Sequence, residues 1–173
     1  MRTRVLRYKF FLIAFLLFAG NAFADRNPVE GMTAQKVKKI IRTYQVNSKD
    51  ALYIDNKFGS VTVNTWDKNE FKVEITVLAS DDSDDKAQKQ LDRVTISDSK
   101  VGSEVRFVTN IASGNSWNWK KGGDDKRKLE VNYVINMPKS NHLSITNKYG
   151  SVNVPEFSGP FSLDLSYGNF TGG

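Results

Sequence analysis

Apolar and polar side chains alternate along much of this chain. Phe71, Val73, Ile75 and Val77 are separated by Lys72, Glu74 and Thr76, and Leu129, Val131, Tyr133, Ile135 and Met137 follow the same rule. Val105, Phe107 and Ile111 do so less cleanly. A period of two buries one face of a strand and wets the other, so these runs predict half-buried β-strands. Between residues 37 and 46 the pattern fits two templates. Val37, Ile40, Ile41 and Tyr44 have helical spacing, whereas Ile40, Arg42, Tyr44 and Val46 alternate as a strand. We favour a strand over 40–46, with residues 25–39 as a polar N-terminal tail and Asn47–Asp50 as a turn.

One helix is expected, over about 84–93. Ser83 can cap it, Asp84 and Asp85 lie where the helix dipole favours anions, and Ala87, Leu91 and Val94 share a face. Residues 112–128, rich in glycine and charge, read as a loop that carries Trp117 and Trp119.

The most informative pattern occurs twice. Residues 54–63, "IDNKFGSVTV", return as residues 145–154, "ITNKYGSVNV". In the first copy Leu52, Ile54, Asn56 and Phe58 share one parity, but Val61 and Val63 share the other. The second copy repeats the switch, with Leu143, Ile145, Asn147 and Tyr149 before Gly150 and Val152 and Val154 after it. A flat strand cannot keep one face buried through a change of parity, so the chain must bulge or turn a corner at Gly59 and Gly150. A shorter third echo runs Leu163, Leu165, Tyr167, Gly168, Phe170. The spacing from Gly150 to Gly168 equals one rung of a stacked β-solenoid. The expected fold is therefore all-β and β-solenoid-like over residues 40–173, a single repeat domain that breaks off inside its third motif. A β-sandwich is the alternative.

The N-terminus alters the charge argument. Arg2, Arg4, Arg7 and Lys9 precede the apolar run Phe10–Gly20, and Ala22-Phe-Ala24 follows, the order of a signal peptide cleaved after Ala24. The formal charge of +6 counts those four cations; without them 21 basic side chains face 19 acidic ones. Such a balance gives no reason to expect nucleic acid as a partner. The expected location is the periplasm, the outer-membrane surface or the medium, with no transmembrane anchor in the mature chain. There is no cysteine, so neither disulfides nor a lipidated cysteine contributes.

The two "NK[FY]GSV" motifs, the signal peptide and the run "VNYVINMPKSNHLSITNKYG" resemble the adhesin β-strand-repeat family, exported bacterial domains whose name is a label by analogy. The resemblance covers roughly residues 40–173. It implies an all-β repeat fold and an envelope location, and it carries over no ligand and no catalytic residue.

Chemistry is sparse. His142 is the only histidine and follows Asn141 in a turn; no nucleophile elbow, zinc-ligand set or phosphate loop accompanies it. Asp81, Asp82, Asp84 and Asp85 invite calcium, but the run lacks the turning glycine and terminal glutamate of a calcium loop, so it reads as a solvated helix start. No cofactor and no metal are expected. Trp117 and Trp119, if extended, would share a face beside Lys120 and Lys121, which suits sugar stacking or a protein contact. The plainer reading, which we favour, is that they fold back as a lid on the sheet. Asn56, Phe58, Gly59, Asn147, Tyr149, Gly150, Tyr167 and Gly168 are read as structural corner residues.

Three functions remain in view. The leading one is a noncatalytic, exported, adhesin-like module that presents a surface to an envelope protein or a glycan, with self-association through its last edge as a further expectation. The others are a structural or regulatory envelope component without a ligand site, and a polysaccharide-active β-helix enzyme. The enzyme would need paired carboxylates on successive rungs, which the repeats lack.

Overall fold

The structure, a computed structural model, describes residues 34–112 and 127–173. Strand β1 (Ala34–Gln45) pairs antiparallel with β4 (Glu70–Asp81), from Ala34 opposite Asp81 to Gln45 opposite Glu70. The expected tail boundary at residue 39 therefore moves: residues 34–39 belong to the strand. Backbone pairing decides this rather than burial, because Val37 and Ile41 face solvent while Ile40 and Tyr44 pack on the core.

The repeats supply three strand pairs. They are β2 (Ala51–Phe58) with β3 (Val61–Trp66), β8 (His142–Tyr149) with β9 (Val152–Val154), and β10 (Phe161–Leu165) with β11 (Phe170–Gly172). The remaining elements are helix α1 (Asp84–Asp92), β5 (Val94–Val101), β6 (Glu104–Ile111) and β7 (Lys128–Pro138). They assemble into two mixed sheets, one ordered β1-β4-β7-β3-β9-β11 and the other β10-β8-β2-β6-β5. The fold is all-β with one helix. Strictly parallel stacking, as a solenoid reading expects, holds for β6-β2-β8-β10 and β7-β3-β9-β11, whereas β1, β4 and β5 join antiparallel.

The register matches like with like. Leu52 lies opposite Leu143, Ile54 opposite Ile145, Asn56 opposite Asn147 and Phe58 opposite Tyr149. In the other sheet Val61 lies opposite Val152, and Phe170 opposite Val152 on its far side. The inward side chains of both sheets form a common core, led by Leu52, Ile75, Phe71, Phe107, Tyr133 and Ile145. The apolar pattern of β6 is less clean for a visible reason: burial alternates regularly, but Thr109 takes the inward position between Phe107 and Ile111.

Helix α1 starts where Ser83 caps it, its side chain accepting the Lys86 N–H. Ala87 and Leu91 bury its inner face, and the helix packs against β1 and β4. A nine-residue helix is marginal alone, and this packing sustains it. Asp81, at its approach, is buried and accepts the Asp82 N–H, while Asp82 and Asp84 pair with Lys86 and Lys36.

Candidate functional site

Each corner is built from three layers, and each layer stacks on its counterpart in the next repeat. The inner layer is asparagine. Asn56 is fully buried and donates Nδ2–H to the Val131 carbonyl at 2.9 Å, while its Oδ1 accepts from the Thr109 hydroxyl at 3.1 Å. Asn147, equally buried, donates to the Gly59 carbonyl at 3.1 Å; its Oδ1 has no partner. Leu165 takes the corresponding place in the third pair.

The middle layer is glycine. Gly59 and Gly150 adopt φ of 122° and 137°, a region that side chains with a Cβ rarely enter. A Cβ on Gly59 would meet the Val131 carbonyl, one on Gly150 the Gly59 carbonyl, and one on Gly168 the Gly150 carbonyl, all well inside contact distance. Backbone bonds knit the column, with Gly59 N–H donating to Tyr149 O, Val61 N–H to Ser151 O and Val152 N–H to Asn169 O. The third corner differs in one respect. Positive φ falls on Tyr167, at 56°, and not on Gly168; there the glycine meets the demand for close approach alone.

The outer layer is aromatic. Phe58 stacks on Tyr149 with centroids 5.2 Å apart and planes 9° apart, and Tyr149 stacks on Tyr167 at 5.2 Å and 12°. Exposure rises along the column, from a half-buried Phe58 to 42% for Tyr149 and 79% for Tyr167. Stacked rings turn their faces to one another, so the inner members show solvent mainly their edges. The broad face is at Tyr167.

The same gradient runs through the strands. Leu143 and Ile145 are buried, whereas Leu163 beside Ile145 is half-buried and Phe161 beside Leu143 is exposed. Val152 is buried, and Phe170 beside it is exposed. The opposite end of the stack is closed. There Tyr44 donates its hydroxyl to Asp98, Arg42 bonds Asp98 at 3.2 Å, and Lys100 reaches the Gln45 carbonyl at 2.7 Å, tying β1 to β5 across the two sheets. Tyr44 also packs edge-on against Phe107.

Perturbed titrations mark scaffold contacts. Burial, helped by the bond to Asp98, pushes the Tyr44 hydroxyl up to about 12. Burial likewise lifts Tyr133 to about 12 against the opposing effect of its bond to Thr109. Burial would raise the Asp50 carboxyl, but the Asn47 N–H and the Lys100 ammonium outweigh it and hold the group below the usual carboxylate range. Asn141 completes that cluster by donating to the Asn47 and Asp50 carbonyls.

His142 opens β8, half-buried against the edge of Tyr53, which also carries the Arg106 guanidinium 4.7 Å above its ring. Among the described residues no group of three or more His, Cys, Asp or Glu side chains could hold a metal ion. Trp117, Trp119, Lys120 and Lys121 lie outside the described residues, between β6 and β7. Sequence reasoning missed the Thr109–Tyr133 and Asp50–Lys100 contacts. The inward parity of Thr109 was a readable signal for the first, and nothing local pointed to the second.

Several solved structures align with part of this chain. Several of its structural neighbours are candidate adhesins or cell adhesion proteins. A candidate cell adhesion protein from Clostridium sporogenes aligns with 78% of this chain and 59% of its own, at 11% identity and a TM-score of 0.43. Candidate adhesins from Bacteroides fragilis and Parabacteroides merdae align at 14% and 11% identity with TM-scores of 0.36 and 0.33, over 78% and 74% of this chain and 53% and 52% of theirs. The chain thus spans between half and three fifths of these proteins. No residue role passes from them to it. No family model matches the chain, and no curated protein matches it.

Proposed function

We propose that this chain is a noncatalytic, exported, adhesin-like β-repeat module of solenoid type, which presents its aromatic corner to a cell-envelope or extracellular partner. The observation that carries this reading is the ladder of stacked rings Phe58, Tyr149 and Tyr167 on the outer side of the corners, with Tyr149 and Tyr167 exposed. The perturbed groups Tyr44, Asp50 and Tyr133 are engaged in scaffold contacts rather than aimed at a common point, which supports a binding rather than a catalytic role. No helix among the described residues is long and apolar enough to cross a membrane.

The test is retention of the purified protein on envelope fractions and on a glycan array. Saturable retention that weakens with Tyr167→Asn supports the aromatic corner as the contact, and loss with Trp117→Ala and Trp119→Ala would shift it to residues 117–121. Absence of any retention, or turnover of a polysaccharide abolished by one carboxylate substitution, would overturn the reading.

A further inference from the structure

The outer faces of the two sheets use their polar side chains differently. On the sheet that holds β4, β7 and β3 they engage one another: Ser60 with Asn132, Asn64 with Asn136 at 3.3 Å, Lys72 with Glu74 at 2.7 Å and Lys128 with Glu130 at 2.8 Å. On the other sheet, one outward row runs Arg106, Tyr53, Ser144, Ser162, and the next runs Val108, Asp55, Thr146, Asp164. Among the described residues, the side chains of Asp55, Ser144, Thr146 and Asp164 make no hydrogen bond or ion pair, and neither does the Tyr53 hydroxyl.

Tyr53 is held firmly in this face. Arg106, its neighbour on β6, sets its guanidinium 4.7 Å from the centroid of the half-buried ring, and His142 meets the ring at 67° with centroids 5.7 Å apart. Towards β8 the row continues with two serines, so no bulky member of that row covers the ring there. Strands β2 and β8 are each paired on both sides, so this face does not depend on any sheet edge.

We infer that this face binds a neutral glycan, with one pyranose ring stacked on Tyr53 above Ser144 and its hydroxyls bonded to Asp55, Ser144 and Thr146. A pyranose turns a layer of weakly positive C–H bonds outward, which suits the negative face of an aromatic ring. Its hydroxyls both donate and accept; a carboxylate accepts, and serine and threonine do both. Charge selects the neutral class. Arg106 is balanced by Glu104 at 3.5 Å, and Asp55 and Asp164 are balanced by Lys57 and Lys148 two residues along the neighbouring positions of β2 and β8. A polyanion would meet the carboxylates beside the ring. A protein contact needs an apolar centre, and these two rows offer only Val108 besides Tyr53. A ring already fixed by Arg106 and His142 loses little freedom on binding. The face is separate from the aromatic corner, and the inference does not rest on the corner's role.

The experiment titrates cellohexaose, maltohexaose and mannohexaose into the purified protein by calorimetry, with a galacturonate hexamer as the anionic comparison. We expect saturable binding of at least one neutral hexamer and weaker binding of the galacturonate. Tyr53→Ala should weaken the neutral hexamer roughly 3- to 10-fold, whereas Tyr53→Phe, which keeps the ring, should stay within about twofold. Ser144→Tyr, at an outward strand position that accepts aromatic residues, crowds the ring and should weaken binding as well; it serves if Tyr53→Ala does not fold. No binding of any neutral hexamer, tighter binding of the galacturonate, or undiminished binding by both Tyr53→Ala and Ser144→Tyr would overturn the inference. Tyr167→Asn separates the two readings. Hexamer binding lost with Tyr167→Asn and kept in the Tyr53 variants would move the glycan to the corner and sink only this inference; hexamer binding through Tyr53 without any envelope retention through Tyr167 would sink only the proposed function.

Discussion

Replacing Gly150 by alanine probes the corner most economically. Two costs add there. The backbone sits at φ 137°, and holding a residue with a Cβ in such a region costs of order 1–3 kcal/mol. The new methyl would also overlap the Gly59 carbonyl, and relieving an overlap of that kind against backbone costs a further ~1–3 kcal/mol. The sum, about 2–6 kcal/mol, is a large fraction of the roughly 5–15 kcal/mol that holds a domain folded. Gly102 supplies the control. It too has positive φ, at 59°, but a Cβ there meets nothing within 4 Å, so Gly102→Ala should cost only about 1–2 kcal/mol. Urea unfolding with a slope of about 2 kcal/mol/M would then move the midpoint by roughly 1–3 M for Gly150→Ala and by about 0.5–1 M for Gly102→Ala. Equal shifts would refute the stacked glycine column, because they would leave local backbone strain as the whole effect.

Other outcomes follow from the same contacts. Lys100→Met should cost about 1–3 kcal/mol by stranding the buried Asp50 carboxylate. Asp50 is held below its unfolded value, so its stabilisation is present above the unfolded pKa and is lost as pH falls through the folded one. The variant should therefore begin acid unfolding at higher pH than the parent, as read by circular dichroism. Tyr44 and Tyr133, raised to about 12, retain protons that the unfolded chain gives up near 10. Stability should fall between pH 10 and 12, and Tyr133→Phe should make that fall shallower. Asn56→Ala should cost more than Asn147→Ala, since Asn56 makes bonds to both Val131 and Thr109 and Asn147 only the one to Gly59. Mass spectrometry of the envelope fraction should find a chain that starts at Asp25; a major species retaining Met1 would count against export by cleavage.

The parity switch at Phe58-Gly59 and Tyr149-Gly150 was legible because a change of buried face within one run has few physical causes. The inward sets of β4 and β7 were legible for the related reason that a period of two survives any choice of neighbour. What sequence could not reveal is pairing. Ala34–Lys39 read as a tail because its side chains are polar, yet its backbone bonds to β4, and backbone hydrogen bonding leaves no mark on side-chain pattern. The meeting of Asp50 with Lys100 and Asn141 depends on three turns converging in space. At the third corner glycine does not carry the unusual backbone angle, because two demands, positive φ and close approach, fall there on adjacent residues, and only close approach excludes a Cβ outright.

The central claim is that the repeats stack in parallel with like residues in register, and the absence of native cysteine makes a direct test clean. Ser144 of β8 lies opposite Ser162 of β10. Neighbouring strands stand about 4.8 Å apart, within the Cα separation that a disulfide bridges. The double variant Ser144→Cys with Ser162→Cys should form an intramolecular bond under mild oxidation, seen as a loss of two mass units with no dimer. Pairing Ser144→Cys with Leu163→Cys should not, because the second cysteine would point to the other face. Bridging in the second pair and not the first would place the strand one residue out of register and contradict the stack.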